Sequence, residues 1–558
     1  MRTTTIKHMV TLPLIVLGMG IFTSCEDFLS EKKYDFIDEA DFYTNNTELE
    51  LAVNGAYEVL SEKMTYGHFM LVNDCDTDLS HIKGSGTGQA ARDIGHYNIY
   101  AAHTWLEESW GLYYTGIDRV NRIMDNKEKV ELPDEASKAT FKRLIAEARL
   151  LRGLCYFDLV RMWGDVPMKL TSSKKSENFL IPRTDREKVY DQIIEDMEAA
   201  VADLPWHDEV SYTGRPSKGA AMGLLARAYL FRAGYSLHQD GKMKRPDNYK
   251  EYYKRAKEVC SELITSHHHS LNPSYERVFR NVCEYKLEPK EVMYEVQFYN
   301  PTGGTEHTGK IGSYNSPEID RNSSYGLGNS FIKTTHIFYN YFDEDDPRLP
   351  TAIATFKIDK NDKVIEVPLN ESYNWAPGKW RRNWVAGSPK DLENTDVNFI
   401  LLRYSDILLM YAEAVNEYDG QLDDLAIECL NQVRRRAYEA DPTTPNAELD
   451  FTKADFPTQQ TVRDYLYMER ARELCFEGFR RFDLIRWNLL GSTIADFAVK
   501  FKAAVADGTL KAYTWAAGNL FEAGKHELYP IPTYEIRETK GIVTQNPKYL
   551  QNPGPQVV

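Results

Sequence analysis

Two stretches of this chain gather the side chains needed to hold a polyhydroxylated ring. The first carries Asp76, Arg92, Tyr97, Tyr100 and His103, and the second Tyr325, Trp375, Trp380, Arg381 and Trp384. Flat aromatic faces suit the apolar C–H surface of such a ring, and Asp, Arg and His can hydrogen-bond its hydroxyls. Three tryptophans fall within the ten positions 375–384, in a segment rich in turn residues. Loops of this composition run over protein surfaces, so exposed rings are expected there, with core packing as the competing explanation for each ring taken singly. Lys379, Arg381 and Arg382 add positive charge that would meet carboxylates or sulfates on an acidic ligand.

Other chemistries find little support. Asp74, Asp76 and Asp78 begin like a calcium loop, but Leu79 stands where its glycine is required and Ser85 where its bidentate glutamate belongs. His267, His268 and His269 are adjacent, so their rings diverge, and a solvated turn is the better reading than a metal site. The glycine-rich run 84–88 lacks the Lys-Ser/Thr pair of a phosphate loop. Neither Gly-x-Ser-x-Gly nor His-Glu-x-x-His occurs, and Asp343–Asp346 suit an exposed turn. The sequence therefore predicts no catalytic residue, no metal and no cofactor, hence a protein that is not an enzyme.

The elements that would position these groups are mainly helical. The 558 residues are 42% hydrophobic and 12% aromatic, enough apolar surface to offset chain entropy. A net charge of −16 disfavours nucleic acid, whose binding depends on neutralised phosphates. In 141–163, Leu144, Ala148, Leu151, Cys155, Leu159 and Met162 form one apolar stripe at helical spacing. Further helices read at about 186–203, 217–234, 250–266, 399–418, 422–438 and 461–488. The second of these is rich in Gly and Ala, which allow close approach of a neighbouring helix. Recurrent helix pairs predict a mainly α fold, a tetratricopeptide-like helical-repeat scaffold with irregular loops and a few short strands. Between about 270 and 396 Pro, Gly, Asn and aromatic residues crowd together, reading as a loop-rich ligand-binding excursion from that scaffold.

The N-terminus has its own logic. Arg2 and Lys7 precede a mostly apolar run, Met9 to Phe22, which is shorter than the ~20 residues needed to cross a bilayer. Small residues then lead to Cys25, as in a bacterial lipobox. The expected organisation is a lipoprotein signal peptide over 1–24, a lipidated Cys25 with a tether to residue 40, and one domain over 41–558. An acidic chain gains no attraction from anionic lipid, so its membrane attachment would come from the lipid on Cys25. The other six cysteines stand apart from any zinc spacing, and those in helical patterns are expected as buried free thiols.

Several long segments, in order, carry a family resemblance: Glu147–Val160 running into Trp163–Pro167, Lys218–Ala228, Leu402–Ala414, Leu430–Arg434, Glu473–Trp487, Tyr529–Pro532 and Gln551–Gly554. They resemble the SusD/RagB family of outer-membrane nutrient-binding lipoproteins. The resemblance implies a cell-surface position on a Bacteroidetes-type outer membrane, beside a SusC-like TonB-dependent transporter, with a glycan as cargo. RagB-like members imply a peptide as the alternative. It also places Ile99 where relatives often carry tryptophan, leaving Tyr97 and Tyr100 as substitutes. By their spacing Glu473, Glu477 and Arg481 lie one turn apart on a helix and are expected in structural ion pairs.

Overall fold

The computed structural model describes residues 42–84, 88, 90–174, 179–210, 214–299, 307–386, 393–513, 515 and 517–551. The expected leader, the tether and Cys25 lie outside them.

The scaffold is a succession of helices: α1 (Asn46–Ser61), α2 (Thr104–Asn126), α3 (Glu135–Trp163), α4 (Arg186–Asp203), α5 (Lys218–Ala233), α6 (Tyr249–Thr265), α7 (Tyr404–Asp419), α8 (Asp424–Ala437) and α9 (Gln459–Glu473). From α2 to α8 each packs on the next, α1 lies against α2 and α3, and α9 lies against α7. Their starts follow local chemistry. Side chains of Asn45, Asp134, Asp185, Ser217 and Asp423 accept amide hydrogen bonds at the first turns of α1, α3, α4, α5 and α8. All six residues of the stripe predicted in α3 are buried. That helix stops at Gly164, whose φ of +75° is costly for any other residue.

Small residues set the helix spacing. A Cβ added to Gly223 of α5 would lie 2.5 Å from the Leu402 side chain and 2.7 Å from that of Ile407. Both neighbours are fully buried and have nowhere to retreat. Gly223→Val is expected to cost about 1–3 kcal/mol by overpacking, seen as a lower midpoint in thermal unfolding.

The fold class is as the sequence predicts, with two local corrections. Residues 399–403 are strand β4 (Phe399–Arg403), not the start of the following helix; β4 pairs antiparallel with β2 (Val292–Val296). Both strands are buried along their whole length, and a short run buried on every side does not distinguish a strand from a buried helix. The helix predicted over 461–488 is broken between α9 and α10 (Arg480–Arg486). Phe476 (φ +62°) and Gly478 (φ +85°) turn the chain there. Glu473 and Glu477 are therefore not on one helix, although both enter the same buried ion cluster with Arg403. Arg481 does something else, donating to the Tyr529 hydroxyl and the His526 carbonyl. Cys75, Cys155, Cys260, Cys283, Cys429 and Cys475 are free and buried, as expected of small hydrophobes.

Glu295, on β2, is 4% exposed and receives one hydrogen bond, from the Asn398 amide at 2.9 Å. Burial pushes its carboxyl up to about 7, with the Asn398 bond opposing. A raised carboxyl contributes stability at low pH and loses it as pH climbs through the folded value. Glu295→Gln keeps the acceptor without the charge. It is expected to match the parent near pH 4 and exceed it by ~3 kcal/mol above pH 8, measured as urea midpoints across pH.

Candidate functional site

The site is built by a short antiparallel pairing between distant parts of the chain. Strand β1 (Ser80–Ile82) pairs with β3 (Ile332–Thr334), Ser80 opposite Thr334 and Ile82 opposite Ile332. The Lys83 amide extends the ladder to the Phe331 carbonyl. This register lays the segment after β1 against the excursion, so the Arg92 guanidinium sits 5.6 Å over the Phe331 ring. Arg92 is held there by its own donation to the Lys83 carbonyl at 2.9 Å.

From Phe331 an arc of rings continues to Tyr314 (centroids 4.8 Å apart), His68 (4.6 Å) and Trp105 (4.6 Å). Phe331, Tyr314 and Trp105 are half-buried, whereas His68 is buried between the last two. Burial, then the nearby Lys310 and Lys63, hold the His68 imidazole well below its ordinary value, so it stays neutral. Lys63 lies 5.7 Å from the Trp105 ring and Lys310 5.8 Å from the Tyr314 ring. The Glu393 carboxylate bridges Lys310 (3.4 Å) and the Asn329 amide (3.0 Å). Three partly exposed rings bordered by cations, an amide and a carboxylate make a surface for a ring-shaped, hydroxylated ligand.

Comparison with known proteins agrees with this architecture. Residues 289–549 match the model of the SusD family, and residues 27–230 match one described as "Starch-binding associating with outer membrane". The chain belongs to the SusD/RagB family. Among relatives of this SusD-like chain, SusD-like protein P25 of Formosa agariphila is 26% identical over 521 residues, covering 88% of this chain and 92% of that one. A SusD homologue from Bacteroides thetaiotaomicron superposes with a TM-score of 0.82 at 28% identity, covering 92% of this chain and 98% of that structure. A laminarin-binding SusD-like protein has the same fold, with a TM-score of 0.67 at 23% identity over 91% of this chain and all of its own.

In this SusD-like chain the predicted site residues divide sharply. Arg92 joins the arc; Tyr325 is half-buried, and its carbonyl accepts from Arg382 at 3.2 Å. Tyr100 is 42% exposed, just before the N-terminus of α2 that also carries Trp105. Trp384 is half-buried in a separate stack, with Arg381 4.5 Å and Arg280 5.8 Å from its ring.

Five expectations of exposure are corrected. Trp375 (4% exposed) is fixed by its indole N–H on the Val367 carbonyl, and Trp380 (0%) packs edge-on against Phe279. Tyr97 is buried beneath the Arg481 guanidinium, at 4.8 Å from its ring, and against Phe521. His103 is buried as the N-cap of α2, its Nδ1 accepting from the Trp105 amide. Asp76 is buried and paired with His96 at 2.8 Å, where the bond and charge of Asp76 outweigh burial and raise the imidazole. Lys379 and Arg382 are buried too, Lys379 against Glu477 at 2.6 Å, so neither is free for an acidic ligand.

The same strand of acids that imitates a calcium loop is spent inside the protein. Asp78 pairs with Arg480, and Asp74 accepts the Arg481 amide at 2.9 Å. Elsewhere Glu58, Glu62 and His307 bring possible ligand atoms within 4.8 Å of one another, but Arg119 already holds Glu58 at 2.7 Å.

The rings that sequence reasoning missed are His68, Trp105, Tyr314 and Phe331. Trp105 stands in the first turn of α2. Tyr314 ends a one-turn helix, Ile311–Tyr314, inside the excursion, and Phe331 precedes a three-residue strand.

Proposed function

We propose that this chain is a non-catalytic, lipid-anchored cell-surface protein. It captures an oligosaccharide or polysaccharide on the Trp105–Tyr314–Phe331 arc and delivers it to a SusC-like TonB-dependent transporter. The observation that carries the reading is the arc itself: three half-buried rings in series beside Arg92, Asn329 and Glu393. A sugar chain stacks on successive rings while its hydroxyls meet those polar groups. Family membership supports it, through a model whose description names starch binding and association with the outer membrane. The anchor on Cys25 and the transporter partnership are expectations of the sequence and of the family.

Isothermal titration of the protein against a panel of neutral and acidic glycans, with matched peptides, tests the cargo. Binding of at least one glycan is the expected result. Binding of peptides alone would replace glycan by peptide capture. Metabolic labelling with a fatty acid, lost in Cys25→Ala, tests the anchor.

A further inference from the structure

A cavity of about 810 Å³ lies apart from the rings of the arc. It opens along α2 between Pro167, Lys169, Ser173, Phe179 and Ile181 on one side and α11 (Thr533–Glu538) on the other, and its volume falls in the range of small-ligand sites. Four rings line it: Trp110, Tyr114, Phe179 and Tyr534. Phe179 and Tyr534 are 54% and 49% exposed at its mouth. Trp110 and Tyr114 pack together at 5.1 Å, and the Tyr114 hydroxyl is fixed on the Pro167 carbonyl at 2.6 Å. Lys169 lies 5.4 Å from the Phe179 ring and Arg537 5.4 Å from the Tyr534 ring, and both rings keep about half of their surface open to solvent.

The charge of the cavity is one-sided. Five carboxylates line it against a single base, Lys169, which is turned onto the Ser173 hydroxyl. Arg122 holds Asp118, and Arg537 holds Glu538. Among the described residues Glu107, Glu108 and Glu535 are in no ion pair. Burial lifts the Glu535 carboxyl above its ordinary range, opposed by a hydrogen bond from Trp110, so an incoming cation would stabilise its ionised form. Aromatic faces together with carboxylates form the setting that recognises organic ammonium groups. The arc has the opposite balance of charge, with Lys63, Arg92 and Lys310 beside its rings and the Glu393 carboxylate already held by Lys310.

We propose that this cavity is a second saccharide site, selective for oligosaccharides of amino sugars. Ring faces stack on Tyr534 and Phe179, and ammonium groups pair with Glu107, Glu108 and Glu535. The inference rests on the reading of the cargo as glycan. Charge then sorts ligands between the two sites, with ammonium sugars kept from the cationic arc.

The test is calorimetry of the full chain at mildly acidic pH with a β-linked glucosamine tetramer, its fully N-acetylated counterpart and tetralysine. The charged tetramer is expected to bind at least tenfold tighter than the acetylated one, and its affinity to fall as salt rises. Glu107→Gln with Glu535→Gln is expected to weaken it about tenfold, and Tyr534→Ala severalfold. Trp105→Ala at the arc is expected to leave it unchanged. Equal affinity for charged and acetylated tetramers, no binding of the charged tetramer, or loss of its binding in Trp105→Ala would each overturn the proposal. So would tetralysine binding as tightly as the sugar, which would reassign the cavity to basic peptide. If neutral glycans bind through the arc while the charged tetramer does not bind, only this inference falls; if no glycan of any kind binds, the reading of the cargo falls with it.

Discussion

Arg403→Met is expected to lower the stability of the fold by about 4–5 kcal/mol. Arg403 is fully buried where β4 enters α7, and its guanidinium bonds both Glu477 oxygens (2.7 and 2.8 Å), Glu291 (2.9 Å) and Glu473 (3.0 Å). It belongs to a cluster in which Arg348, Lys379, Arg403, Arg436 and Arg472 face Asp346, Glu291, Glu469, Glu473 and Glu477. The charges balance at five against five. Removing one member leaves an uncompensated carboxylate in a dry interior, which typically costs 3–5 kcal/mol even where the intact pair contributes little net stability. Urea unfolding followed by circular dichroism gives the number. Arg403→Met combined with Glu477→Leu restores the balance and is expected to recover part of the loss; two losses that simply add would show the cluster to be a set of independent pairs.

The same charges set the acid limit. Burial alone would raise Glu473, but Arg436, Arg403 and Arg348 outweigh it and hold the carboxyl well below its usual range. In a neighbouring group Arg470 and Arg227 overcome burial and keep Asp406 at about 2. A depressed carboxyl stabilises the fold above its unfolded value and loses that contribution as pH falls through the folded one. For Asp406 the window runs from about pH 4 down to 2 and is worth ~2–3 kcal/mol. The parent protein is therefore expected to unfold cooperatively in that interval, and Arg403→Met at a distinctly higher pH.

What could be read from the chain depended on the range of the interaction. The stripe of α3 was legible because Leu144 to Met162 record burial locally, at helical spacing. The strand at 399–403 was not, because a run buried on every side has no periodicity to read. The break before α10 depends on Phe476 at positive φ, which no residue preference announces. At the site, type was legible and placement was not. Trp375 and Trp380 have the right side chain for stacking, but the Val367 carbonyl and Phe279 claim them for the interior. The arc is assembled by Ser80 pairing with Thr334, more than two hundred positions apart, and no local window contains both. The sequence did mark the two segments that meet there, through Arg92 and Tyr325, but as two regions and not as one.

That distinction sharpens the expected behaviour of the arc. Trp105→Ala and Tyr314→Ala are each expected to weaken glycan binding by about 10–30-fold, and the double variant by more than 100-fold. Interface tryptophans and tyrosines commonly carry 2 kcal/mol or more, and 1.4 kcal/mol is tenfold in affinity. Both rings are partly exposed and their backbones are held independently, Trp105 by the His103 cap and Tyr314 by the Lys310 carbonyl. Their removal should therefore leave the circular dichroism spectrum and unfolding midpoint close to the parent. Tyr314→Phe keeps the ring and should keep most of the affinity. Trp375→Phe supplies the contrast: it loses the bond to Val367 and lowers stability, while the folded fraction binds glycan unchanged. Because His68 is already neutral, affinity should also stay flat across the pH range in which an ordinary histidine titrates. Trp375→Phe weakening binding as strongly as Trp105→Ala would move the site out of the arc and into the excursion's tryptophan segment.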